Sequence, residues 1–154
     1  MTKTLYQIMI RIKDSFVPIL EKKLGVSHPE SLEETDVYFK SKGLNQTEKV
    51  TEFGEKFVHE RISKNEHIFQ IQQEAITKDQ HDQLLTKHDI SVTLHRHRSR
   101  YILNDVEISV DRIDEIGTFL EMEGEDRSAV ESIATTLGFS SPQFIEHPYD
   151  WLKR

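Results

Sequence analysis

The chain has 154 residues, 36% hydrophobic and 31% charged, with a formal net charge of −7; that length suits one domain, 1–154, with an ordinary core. It has no cysteine, which excludes disulfides, thiolate zinc sites and cysteine nucleophiles. The acidic balance argues against a nucleic-acid footprint, and the sequence has neither a signal-peptide core nor a bilayer-length apolar run, so a cytoplasmic protein without membrane contact is expected.

"LYQIMIRIK" alternates, with Tyr6, Ile8, Ile10 and Ile12 on one face and Leu5, Gln7, Met9 and Arg11 on the other. That period of two predicts a strand. "DSFVPILEKKLG" predicts a helix capped by Ser15, with Pro18 tolerated in its first turn and Gly25 ending it. Residues 26–35 read as a loop, "TDVYFKS" as a short strand, and 42–52 as polar and irregular. "EKFVHERIS" and "HIFQIQQ" are strands joined by the turn-like "KNE", and Thr77 with Gln80 has capping-box spacing before a short helix. "ISVTLHRHRSRYIL", "VEISVDRI" and "TFLEMEG" give three more strands, with Asn104-Asp105 as a turn. In "DRSAVESIATTLG", Val130, Ile133, Ala134 and Leu137 share a helix face ahead of Gly138. Strands outnumber helices and short turns join them, so the fold class is α+β with a largely antiparallel sheet.

The charge on these strands is sorted by sign. "LHRHRSRYIL" packs His95, Arg96, His97, Arg98 and Arg100 into six residues of an acidic chain, while Glu121 and Glu123 alternate with apolar residues in "TFLEMEG". Glu107, Ser109 and Asp111 share a face opposite Val106, Ile108 and Val110. His59 and Arg61 also share a face; Glu60 falls on the apolar side, between Val58 and Ile62, without evident reason. A wet outer face explains any one such strand. Carboxylates clustered on two strands and arginines on two others suggest instead a closed sheet that gathers both into one cavity. There arginines could grip phosphate oxygens bidentately, and carboxylates could hold a hard divalent cation such as Mg²⁺ or Mn²⁺.

"RHRSRYIL" followed by "VEISVDRIDEIGTFLEMEG" resembles the signature of CYTH domains, the triphosphate tunnel metalloenzymes, which include class IV adenylyl cyclases and thiamine and inorganic triphosphatases. Arg96, Arg98, Tyr101, Asp111, Gly117, Phe119, Glu121 and Glu123 match in order and spacing; "ETDVYF" and "HPYDWLKR" are similar to its early strand and closing helix. The resemblance implies an eight-stranded antiparallel closed tunnel barrel that binds a triphosphate (ATP, thiamine triphosphate or tripolyphosphate) with Mg²⁺ or Mn²⁺. It implies phosphate contacts from Arg11, Arg61, Arg96 and Arg98, metal ligation by Asp111, Glu121 and Glu123, and a catalytic role for Asp111 and Glu121. A homodimer is the expected assembly.

The chain departs from the family at its first-strand motif Glu-x-Glu-x-Lys, where Leu5, Gln7 and Met9 stand. The family's basic residue after its fourth strand falls near Gln72, and His59 stands where arginine is common. Lost metal ligands weaken transition-state stabilisation more than ground-state binding. Two functional readings follow: a metal-dependent adenylyl cyclase or triphosphatase of weakened activity, or a non-catalytic polyphosphate-sensing or partner-binding domain. Transition-metal binding by His95 and His97 lacks a third ligand, and RNA binding by "HRHRSR" lacks interleaved aromatics; both are weaker readings.

Overall fold

The computed structural model describes residues 1–41 and 46–152. In chain order these form β1 (Thr2–Ile12), a 3-10 turn at Asp14–Phe16, α1 (Val17–Leu24), β2 (Glu30–Phe39), β3 (Gln46–Phe53), β4 (Lys56–Asn65) and β5 (Ile68–Ile76). There follow α2 (Lys78–Lys87), β6 (Ile90–Leu103), β7 (Val106–Ile113), β8 (Gly117–Gly124), α3 (Arg127–Thr136), a 3-10 turn at Ser141–Gln143 and α4 (Tyr149–Leu152). The strands pair antiparallel in the order β1-β5-β4-β3-β2-β6-β7-β8, and β8 returns to β1. The sheet is the closed antiparallel barrel expected from the sequence. Closure removes the unpaired edges that would otherwise invite aggregation.

Local chemistry sets several boundaries. Gly25 ends α1 in the left-handed region at φ 66°, a conformation that costs glycine little. Thr77 and Gln80 form the reciprocal capping box of α2. Asn104 and Asp105 both have positive φ, 49° and 65°, as a two-residue hairpin loop between right-twisted strands requires. Asp126 caps α3 by accepting from the Ser128 and Ala129 amides.

Three expectations are corrected. Ser15 does not cap α1, because the chain enters that helix through the 3-10 turn, with Phe16 at the cap position and no side-chain cap bond. The loop expected over 26–35 yields to β2 from Glu30 onward. Of the irregular stretch 42–52, residues 42–45 lie outside the described residues, and the rest belongs to β3, paired with β4 along its length and with β2 from Lys49 to Phe53. Pairing with β4 outweighs the weak strand preference of "QTEK".

The largest apolar cluster lies outside the barrel. Ile8 and Ile10 of β1, Ile108 and Val110 of β7, and Leu120 and Met122 of β8 pack with Leu20 of α1, with Val130, Ile133 and Ala134 of α3, and with Leu137 just after it. Each such side chain contributes roughly 1.5–3 kcal/mol on burial. With this outer face apolar, the alternate residues of the same strands must face the barrel axis. A second cluster, including Tyr38, Ile62, Phe69, Leu94, Ile113, Phe119 and Tyr149, fills part of the interior. The barrel is therefore packed with apolar side chains over part of its length and polar over the remainder.

Candidate functional site

Strand parity turns Gln7 of β1, Glu34 and Asp36 of β2, Lys49 and Thr51 of β3, Glu60 of β4, Arg96, Arg98 and Arg100 of β6, Ser109 and Asp111 of β7, and Glu121 and Glu123 of β8 toward the axis. All but Arg100 and Glu123 are buried. Arg96 Nη1 donates to Asp111 Oδ2 at 2.9 Å and Nη2 to Asp36 Oδ1 at 2.9 Å. Arg98 clasps Asp111 through Nε at 2.8 Å and Nη2 at 2.9 Å. Glu34 lies 3.3 Å from Arg96 and 3.1 Å from Arg98, and Lys49 lies 3.6 Å from Asp36 and 3.4 Å from Glu60. Tyr149, carried in by α4, donates to Asp111 Oδ2 at 3.1 Å and Glu121 Oε2 at 3.2 Å. Buried ions in such number persist only when each is paired and hydrogen-bonded.

This network leads into a cavity of about 630 Å³ whose wall includes Lys3, Lys49, Arg96, Arg98 and Arg100. The same wall bears eight carboxylates, so the cavity is acidic on balance. At its rim Arg100 Nη1 donates to Glu107 Oε1 at 2.7 Å. On β8, Gln7 Nε2 donates to Glu121 Oε1 at 2.7 Å and to Glu123 Oε2 at 2.8 Å. In this orientation the amide NH₂ presents its two hydrogens to the two glutamate side chains.

Proton affinities divide with the pairing. Burial would push Asp111 up, but Arg98 and Arg96 outweigh it and hold its carboxyl well below the usual range. Asp36 is likewise held down, by Arg96 and Lys49 against burial. Glu121 is pushed up by burial, which the nearby Arg98 only partly offsets. Glu123 is raised further, first by burial and then by the like charges of Glu60 and Glu121. Burial also raises the Tyr149 phenol, with Asp111 and Glu121 adding to the shift, so it stays a hydrogen-bond donor.

Of the residues singled out in the sequence, Arg96, Arg98, Asp111, Glu121 and Glu123 converge in the interior. Arg61 does not: its side chain is 57% exposed outside the barrel and its nearest ionic partner is Glu48. The phosphate contact expected from it is corrected by parity, because Glu60 takes the inward position on β4. Arg11 lies apart from the cavity, with Nη1 donating to the Ile116 carbonyl and its guanidinium 4.8 Å from the centroid of Phe119. Gly117 has φ 137°, and a Cβ there would meet Arg11 Nη1 at 2.8 Å. Tyr101 faces outward and donates to Glu21, and burial lifts its phenol to about 12. His95 and His97 also face outward, beside Thr35 and Glu33.

The sequence reading missed Glu34, Asp36, Lys49, Glu60 and Arg100 as interior groups. The inward place of Glu60 accounts for its position between Val58 and Ile62: Gln73 Nε2 donates to it at 2.7 Å. Alternation of Glu34, Asp36 and Tyr38 against Val37 and Phe39 was the signal for β2, once the apolar face is understood to lie under a helix. Lys49 was hidden by the weak strand signal of β3.

The CYTH domain family profile matches residues 6–149. The chain belongs to the CYTH family. Among solved structures, this CYTH chain is similar to a conserved hypothetical protein of Pyrococcus furiosus (18% identity, 96% of this chain and 99% of that one covered, TM-score 0.76). It is also similar to a Pyrococcus horikoshii protein (17%, 96% and 98%, TM-score 0.78) and to a candidate adenylate cyclase of Vibrio parahaemolyticus (14%, 98% and 98%, TM-score 0.72). At these identities the likeness is one of fold. Comparison with curated protein sequences gives no match. No helix among the described residues is long and apolar enough to cross a membrane.

The divalent metal that CYTH membership implies does not fit the residues present. Both Asp111 oxygens accept from guanidinium groups, and one also accepts from Tyr149. Glu121 accepts from Gln7 and Tyr149 and lies 3.1 Å from Arg98 Nη2. Among the described residues no group of three or more histidines or carboxylates is arranged to hold a metal ion. Asp111, Glu121 and Glu123, expected to form one metal site, are instead divided between guanidinium, phenol and amide donors.

Proposed function

We propose that this CYTH domain binds a triphosphate-bearing small molecule in its tunnel and turns it over poorly or not at all. The observation that carries the reading is the inward row Arg96, Arg98, Arg100 on one strand, joined by Lys3 and Lys49 around a single cavity. A volume near 630 Å³ is that of an ordinary small-molecule site, which spans roughly 300–1,000 Å³. Phosphate oxygens would compete with Glu107 for Arg100, and with Glu34 and Glu121 for Arg98, through the same bidentate geometry. A CYTH relative from Hippeastrum, 14% identical over 88% of each chain with TM-score 0.57, is described as a candidate adenylyl cyclase with dominant triphosphatase activity, consistent with a triphosphate ligand here. Turnover is weakened because, among the described residues, no group of three or more histidines or carboxylates is arranged to hold a metal that would neutralise phosphoryl oxygens or activate a nucleophile.

The test is titration calorimetry with tripolyphosphate, alongside phosphate and pyrophosphate release from ATP, thiamine triphosphate and tripolyphosphate with Mg²⁺ and Mn²⁺. Saturable binding that weakens by roughly 10–100-fold in Arg100→Ala, the equivalent of about 1.5–3 kcal/mol for a hydrogen bond to a charged group, with release near background, supports the reading. Absence of tripolyphosphate binding rejects it, and rapid metal-dependent release restores the enzyme. A second reading is favoured by the eight carboxylates facing five cationic side chains: the tunnel takes an organic cation. A linear polyamine that binds where tripolyphosphate does not would establish that reading in place of the first.

A further inference from the structure

Across the barrel, carboxylates that would attract a cation are held by nitrogen donors of the chain itself. Glu121 and Glu123 lie two residues apart on β8, facing inward, and among the described residues one side chain bridges them. That side chain is Gln7, opposite Glu123 in the β1–β8 ladder. Its single amide nitrogen commits both hydrogens, one to each glutamate, at 2.7 and 2.8 Å. Leu5 and Met9, the inward neighbours on the same strand, are both buried and apolar. They supply no further oxygen ligand to this wall. A hard divalent cation needs six or more oxygens, or two carboxylates with room for several waters; an amide NH₂ directed into the gap is a donor and repels it.

We infer that Gln7 is a specificity-determining residue that makes this tunnel metal-independent: its amide occupies the place between Glu121 and Glu123 where a divalent cation would otherwise sit, and any ligand is bound without metal. An amide nitrogen supplies two directed hydrogen bonds without a full charge, so it holds both glutamate side chains in place without adding an ionic partner of its own. The inference deepens the triphosphate-binding reading and rests on it only for its ligand clause; the metal clause is read with Mn²⁺ alone.

The experiment measures Mn²⁺ binding to the full chain by electron paramagnetic resonance and calorimetry, without any phosphate compound. The wild-type chain is expected to show no saturable binding up to about 1 mM, a dissociation constant worth only about −4 kcal/mol. Gln7→Glu, which replaces the donor by a third carboxylate, is expected to bind at least roughly tenfold more tightly, since ligand charge count tunes such sites. Saturable binding by the wild-type chain overturns the inference, and so does a folded Gln7→Glu chain that binds no better than wild type.

Should Gln7→Glu fail to fold, Gln7→Ala decides the matter. It removes the donor and leaves a gap, so Mn²⁺ should raise its unfolding temperature and not that of wild type; equal response in both overturns the inference. For the ligand clause, tripolyphosphate affinity should be the same in EDTA and in excess Mg²⁺, and binding seen only with Mg²⁺ overturns it. If tripolyphosphate does not bind under either condition, the function proposed above falls while the Mn²⁺ result still stands on its own.

Discussion

Arg96 and Glu123 both face the inside of one barrel, in opposite electrostatic company. Around Arg96, the carboxylates of Asp36 and Asp111 lie within hydrogen-bond reach and are held ionised. Around Glu123 the only side-chain hydrogen bond among the described residues is from the neutral amide of Gln7, while burial raises its proton affinity and Glu60 and Glu121 add like charge. The first region is balanced and works as a structural crosslink among β2, β6 and β7. The second is unbalanced, and its electrostatic strain can be relieved by a proton or by a ligand. Charge count alone does not separate the two; the pairing does.

The sharpest way to break the balanced region is Arg96→Ala. It strands Asp36, Asp111 and Glu34 in a buried setting, and losing one partner of a buried ion network costs about 3–5 kcal/mol. Urea unfolding should show that loss, or the variant should fail to accumulate as folded protein. Tyr149→Phe removes the phenol donated to Asp111 and Glu121 and should cost about 1–3 kcal/mol by the same measurement.

The unbalanced region gives a smaller effect whose sign depends on pH. The raised proton affinity of Glu123 means that the folded state holds a proton which the unfolded chain releases above its ordinary value of about 4.3. Its stabilising contribution is present below that value and is lost as pH rises through the folded value. Glu123→Gln should therefore raise the unfolding temperature at pH 8 by about 2–4 °C, the equivalent of about 1 kcal/mol for a chain of this size, with a smaller gain at pH 5. Asp111 and Asp36 run the other way. Their lowered values stabilise the fold above about pH 3.9, and that contribution is lost as pH falls through the folded values, where acid unfolding should begin. Protonation of Glu121 and Glu123 also removes negative charge from the cavity, so calorimetry should find tripolyphosphate affinity falling as pH rises through their raised values. The smallest effect is expected outside the barrel: Arg61→Ala should stay within about 0.5 kcal/mol of wild type in urea and leave tripolyphosphate affinity unchanged.

Much of the fold was legible because closed sheets impose a period of two, and β1, β6, β7 and β8 display it cleanly. The interior of β7 and β8 could be read from it as well, since Asp111, Glu121 and Glu123 alternate with Val110, Leu120 and Met122, which pack outside the barrel with α1 and α3, while on β6 the sorting of Arg96 and Arg98 against His95 and His97 was by charge and not by hydropathy. On β4 the same rule misled. Val58 and Ile62 looked like a core face and His59 with Arg61 like a site face, because a strand lining a polar tunnel can turn apolar residues inward beside Glu60. Strand β3 has too weak a pattern to be seen without its neighbours.

By itself, then, the sequence determined the strand count on the C-terminal side, the sign-sorted charge of its faces and the loss of acidic residues at positions 5 and 7. Alternation and residue identity are local properties, so they survive without coordinates. Which face is interior, which carboxylate meets which arginine, and the use of Gln7 as a bridge across two glutamates were decided only in the tertiary structure. Those depend on pairings between residues as far as 116 positions apart, fixed by barrel closure and register.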